Sequence, residues 1–101
     1  MNIFVAKNDD TRIVQAMRVP DLWDIEGRTD FDFWICSIRG ACKVKWSGTG
    51  MKIEDQPCPV GTWVVYEVTI DDRRILGITT DKSFRKLWVK VQWQSAKKPN
   101  A

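Results

Sequence analysis

The chain has 101 residues, 44% of them hydrophobic and 29% charged, with a net charge of +3. The length fits one domain, the balance excludes intrinsic disorder, and so small a net charge does not by itself imply a polyanionic partner. Histidine is absent, which removes Ser-His-Asp and Cys-His nucleophile arrangements, histidine general bases and histidine metal sites together.

In chain order, residues 2–7 read as a short apolar strand and residues 8–11 as a turn, because Asn8, Asp9 and Asp10 bond their own backbone and tolerate unusual φ. Residues 12–19 return as a second strand. With Asp9 and Asp10 as the loop, Val5 faces Val14, and Pro20 ends the strand by removing a donor. Residues 21–26 are expected to form at most one short helical turn, capped by Asp21 and stopped by Gly27. Residues 31–39 are predicted as a central strand, since apolar side chains fall on both sides of a period of two.

Residues 42–46 alternate, with Cys42, Val44 and Trp46 inward and Lys43 and Lys45 outward. Met51 to Glu54 is a short strand candidate, and Pro57 and Pro59 are expected to forbid regular pairing after it. Residues 62–70 carry the highest β propensity. A two-residue loop at Asp71 and Asp72 would set Val68 opposite Ile75 and Tyr66 opposite Gly77 in the return strand. Residues 82–93 close the fold as a strand with two faces: Leu87, Val89, Val91 and Trp93 buried, and Phe84, Lys86, Trp88, Lys90 and Gln92 outward. The expected fold is mainly β: a small antiparallel β-barrel or β-sandwich of about six to eight short strands. Residues 1–95 would form one β domain and residues 96–101 a frayed basic tail.

Little catalytic equipment is legible. Cys36, Cys42 and Cys58 lack paired metal-ligand spacing and read as partly buried small hydrophobes, so no metal or other cofactor is expected. The acids between Asp21 and Asp32 do not follow the oxygen-ligand alternation of a calcium loop, and Gly48 and Gly50 open no phosphate loop. Glu67 shares a strand face with Trp63 and Val65; it reads as paired with an arginine of the next strand, with no second acid to make it catalytic. An odd number of cysteines without a secretory signal predicts reduced thiols and a cytoplasmic setting. No stretch approaches transmembrane length, and neither end carries a lipid-anchor motif.

Charge is unevenly spread. Between Asp21 and Asp32 five acids stand against Arg28, whereas between Lys82 and Lys98 there are six bases and no acid. Aromatic and basic side chains share the outward face of residues 82–93, with Lys43 and Lys45 as neighbours. The partner-binding set is therefore Phe84, Lys86, Trp88, Lys90, Gln92, Lys43 and Lys45. A tryptophan ringed by lysines suits an acidic protein surface. The chain accordingly reads as a non-enzymatic binding module of adaptor or inhibitor type that recognises a partner protein. The alternative is a small β-barrel that binds single-stranded nucleic acid by base stacking in a cationic groove. A barrel that holds a small ligand is a third reading.

Overall fold

Residues 3–18 form an antiparallel hairpin in the computed structural model, which describes residues 2–39, 44–69, 71–72 and 74–91. Strand β1 (Ile3–Ala6) pairs with β2 (Asp9–Arg18) in a register that sets Phe4 opposite Val14 and Val5 opposite Ile13. The predicted pairing of Val5 with Val14 is thus off by one. The reversal is made by Lys7 and Asn8, and Asp9 already belongs to the second strand. Its carboxylate accepts the Thr11 hydroxyl at 2.5 Å and the Thr11 N–H at 3.0 Å, which spends its turn chemistry inside the strand. The same bonds, the hydroxyl first, hold the Asp9 carboxyl below its usual range.

The largest departure from expectation is residues 31–39. They belong to helix α1 (Ile25–Arg39), not to a strand. Asp24 caps it: its side chain accepts the Gly27 N–H at 3.0 Å. Asp21, the predicted cap, instead closes a local turn on the Trp23 N–H. Period two scattered the apolar residues over two faces. At the helical period Phe31, Trp34, Ile35 and Ile38 make one stripe, which packs inward, while Phe33 and Cys36 face out.

A small sheet follows, in the order β3 (Val44–Ser47), β4 (Gly50–Ile53), β5 (Gln56–Pro59). Two of its features correct the sequence reading. Pro57 and Pro59 do pair, opposite Lys52 and Gly50, because β5 is an edge strand and their missing donors can face away from β4. The β4–β5 turn places Glu54 and Asp55 at φ of 50° and 71°, the left-handed region that hairpin turns of the mirror-image type require. At Gly50, φ is 147° and a Cβ would stand 2.4 Å from the Cys58 carbonyl oxygen, so only glycine fits.

Strand β6 (Trp63–Val68) pairs with β2, and β7 (Arg74–Thr79) pairs with β6. Here the expected register is again one residue off: Tyr66 faces Leu76, and Val65 faces Gly77. The connection runs from Val68 to Arg74, longer than two residues, with Asp72 at a φ of 64°. Its ends come close through Asp72, whose N–H donates to the Thr69 carbonyl at 2.9 Å. Ile70 falls outside the described residues.

The closing segment is the second large correction. Residues predicted as one strand divide into helix α2 (Asp81–Leu87) and a short strand β8 (Trp88–Lys90). Thr80 is the N-cap and accepts the Ser83 N–H at 3.2 Å, and Asp81 sits in the first turn. β8 pairs with β1 and completes a five-stranded sheet of order β7-β6-β2-β1-β8.

The fold is therefore mainly β, with eight described strands, all paired antiparallel, in two open sheets. Neither sheet closes into a barrel, and two helices complete the layers. The large sheet is covered on both sides. On one, Met17 and Val64 meet Phe31 and Ile35 of α1 and Met51 and Ile53 of the small sheet. Two indole bonds fix this layer, Trp34 to Gln15 at 3.2 Å and Trp46 to Asp32 at 3.0 Å, and the Arg28 guanidinium lies over the Trp46 ring at 5.1 Å. On the other side, Phe4, Ala6, Val14 and Ala16 meet Phe84 and Trp88. Among the described residues no helix is long and apolar enough to cross a membrane.

Candidate binding surface at helix α2 and strand β8

The seven sequence-predicted contact residues do not form one face. Phe84 is 2% exposed and Trp88 9%, so both are core. The residues predicted to be buried, Leu87 and Val89, are 54% and 48% exposed. The inversion has a simple cause. A helix through residue 87 puts positions 84 and 88 on one side, one turn apart, and that side lies on the sheet. Lys86 and Lys90 are exposed, as predicted, and they flank the two aliphatics. Lys45 is exposed on the small sheet, on a different element, and Lys43, Gln92 and Trp93 lie outside the described residues.

Under this surface is an aromatic cluster. Trp63 and Phe84 stack at 4.1 Å between centroids with 7° between planes. Phe4 meets both edge-on, at 5.4 Å from Trp63 and 4.9 Å from Phe84. Such contacts contribute about 0.5–1.5 kcal/mol each beyond area burial. The Trp63 indole donates to Asp81 at 2.8 Å, and Arg85 reaches the other oxygen of the same carboxylate at 2.9 Å. The indole bond, then Arg85, holds the Asp81 carboxyl below its usual range. One carboxylate thus ties α2 to β6.

The cluster floors an open cleft of about 500 Å³. Lys7, Arg85 and Lys90 stand on its rim, together with Val89. Lys7 is anchored there by donating its ammonium to the Arg85 carbonyl at 2.5 Å. Neither Lys86 nor Lys90 pairs with an acid among the described residues. The rim is therefore cationic, and Asp81, the acid paired with Arg85, is already engaged twice.

Glu67 is held by an arginine, as expected, but by Arg12 of β2 rather than by one from β7. The contact is bidentate at 3.0 and 2.9 Å, and it raises the Arg12 pKa further. The Arg12 guanidinium also lies over the Trp88 ring at 5.1 Å. Glu67 is the one acid lining an adjacent cleft of about 210 Å³. Of the thiols, Cys36 is exposed and Cys58 buried, both free, and burial pushes the Cys58 thiol pKa up. Cys42 lies outside the described residues, among which no group of three His, Cys, Asp or Glu side chains could hold a metal.

Compared with protein-family models, with curated proteins and with solved structures, the chain matches none.

Sequence reasoning missed the exposure of Leu87 and Val89. The signal was present: a Thr80 cap, an acid in the first turn and bases in the last predict a helix from residue 81.

Proposed function

We propose that the protein is a non-enzymatic binding module, of adaptor or inhibitor type, whose α2–β8 surface docks an acidic face of a partner protein. One observation carries the reading: Leu87 and Val89 stand about half exposed between Arg85, Lys86 and Lys90, and the two lysines lack an acidic partner among the described residues. Large aliphatic groups set beside two unpaired lysines favour a partner that brings both an apolar contact and carboxylates. Covering the exposed half of each aliphatic gives roughly 1 kcal/mol apiece, so charge complementarity must supply register and on-rate. Among the described residues β8 ends its sheet, and an edge strand allows main-chain pairing as well. The free thiols Cys36 and Cys58 support a reducing, cytoplasmic setting.

Burial of the aromatics lends the nucleic-acid alternative less support. Stacking needs a free ring face; the Phe84 ring is stacked on Trp63, and the Trp88 ring carries Arg12. Affinity capture with nuclease treatment tests the proposal. A protein partner should be retained by the native chain and lost by a Leu87→Asp, Lys90→Glu variant. Recovery of nucleic acid, or equal capture by both chains, would refute it.

A further inference from the structure

The α2–β8 surface has a chemical complement on the same chain. Helix α1 turns Phe31 and Ile35 into the core and so sends Ile25, Thr29, Phe33 and Cys36 outward, spaced as one stripe of a helix. Phe33 is 75% exposed. Asp32 flanks this ridge on one side, and Glu26 and Asp30 flank it on the other, by the angular order of a 3.6-residue turn. Glu26 and Asp30 form no ion pair among the described residues. The result is an apolar ridge between acidic margins.

Burying that ridge against a second α1 would set acids against acids. The α2–β8 cleft offers the reverse: an aromatic floor, cations on its rim, and about 500 Å³ of space, ample for one phenyl side chain. We propose that a second copy of this chain occupies the α2–β8 surface through its helix α1. Phe33 of one copy enters the cleft above Trp63 and Phe84 of the next, while Glu26, Asp30 and Asp32 meet Lys7, Arg85 and Lys90. This rests on reading α2–β8 as a docking surface and names its occupant. The two faces are different, so the contact is heterologous, and each bound copy keeps one ridge or one cleft free for another. Association therefore grows head to tail with concentration.

Sedimentation velocity and light scattering on the full chain test this. The native protein should exceed its monomer mass of 11.7 kDa increasingly with concentration. Raising salt from about 0.15 M to about 1 M should weaken association at least tenfold, because the screening length falls from ~8 Å to ~3 Å. Phe33→Ser alone, and Lys7→Glu with Lys90→Glu, should each be monomeric, with circular dichroism unchanged because all three side chains are exposed. Mixing these two variants should restore a closed one-to-one pair, since one retains the cleft and the other the ridge. A native chain that stays monomeric at every concentration overturns the proposal, as does association that survives Phe33→Ser or mixing that restores nothing. If the native chain is monomeric yet the lysine variant still loses a captured partner, the inference fails and the α2–β8 docking surface stands. If the lysine variant retains both capture and association, the docking surface fails with it.

Discussion

Replacing Phe84 with alanine separates the two descriptions of the closing segment. On an outward strand face Phe84 would be a surface side chain, and its removal would change stability by no more than about 0.5 kcal/mol. In the structure it is buried, stacked on Trp63 at 4.1 Å and edge-on to Phe4 at 4.9 Å. Deleting a buried phenylalanine ring costs about 3–5 kcal/mol. The low end applies here, because the ring borders an open cleft of about 500 Å³ into which water can follow. Alanine is also the better helix former, which offsets a few tenths of that loss. The expected cost is therefore about 3 kcal/mol, or a Tm lower by about 12–24 °C at ~4–8 °C per kcal/mol for a domain of this size. Urea titration followed by tryptophan fluorescence measures it as a lower midpoint at constant slope. Phe84→Leu should recover more than half of the loss. A cost below about 1 kcal/mol, outside the range for a buried ring, would refute the packing of α2 on the sheet.

Four further outcomes follow from particular residues. The folded pKa of Asp81 lies below the unfolded value of about 3.9, so its contribution is fully present above that pH and is lost as pH falls through the folded value. Urea midpoints across pH should show native protein more stable than Asp81→Asn near neutrality, with the gap closing below about pH 3.9; a constant gap contradicts the Trp63 and Arg85 contacts. Gly50→Ala should destabilise by several kcal/mol, since its Cβ would stand 2.4 Å from a backbone oxygen. Gly77→Ala meets nothing within 4 Å and should stabilise by about 0.5–1 kcal/mol. Asp55→Gly, at a φ of 71°, should raise the thermal midpoint by relieving left-handed strain worth up to about 1 kcal/mol, and a lowered midpoint would contradict the turn geometry.

The β character was legible because alternation and β-branched residues dominate residues 62–70 and the N-terminal hairpin. Registers were not, since the turn falls at Lys7 and Asn8 rather than at Asp9 and Asp10, and a register shift between Val5 and Ala6 then leaves Val5 one residue from its expected partner. Helix α1 was hidden by its own composition. Phe31, Phe33, Trp34 and Ile35 satisfy a period of two and a period of 3.6 alike, and only burial of Phe31 and Ile35 with exposure of Phe33 separates them. The same ambiguity governed the candidate site. Phe84 and Trp88 share a side in either conformation, but which side meets the sheet depends on tertiary packing. Lys86 and Lys90 were identified because charge is kept in water whatever the backbone does. Leu87 and Val89 were misplaced because a strand reading turned them toward the sheet, although the Thr80 cap and the charges of the turns after it mark a helix.

The central claim, that α2 and β8 carry the recognition surface, is tested most directly by quantitative affinity capture from the native host. Native chain and the Leu87→Asp, Lys90→Glu variant should be compared at matched thermal stability and after nuclease treatment. The account predicts at least one protein, with an acidic surface or identical to this chain, enriched tenfold or more by the native chain and lost with the variant. The same proteins captured equally by both would contradict it.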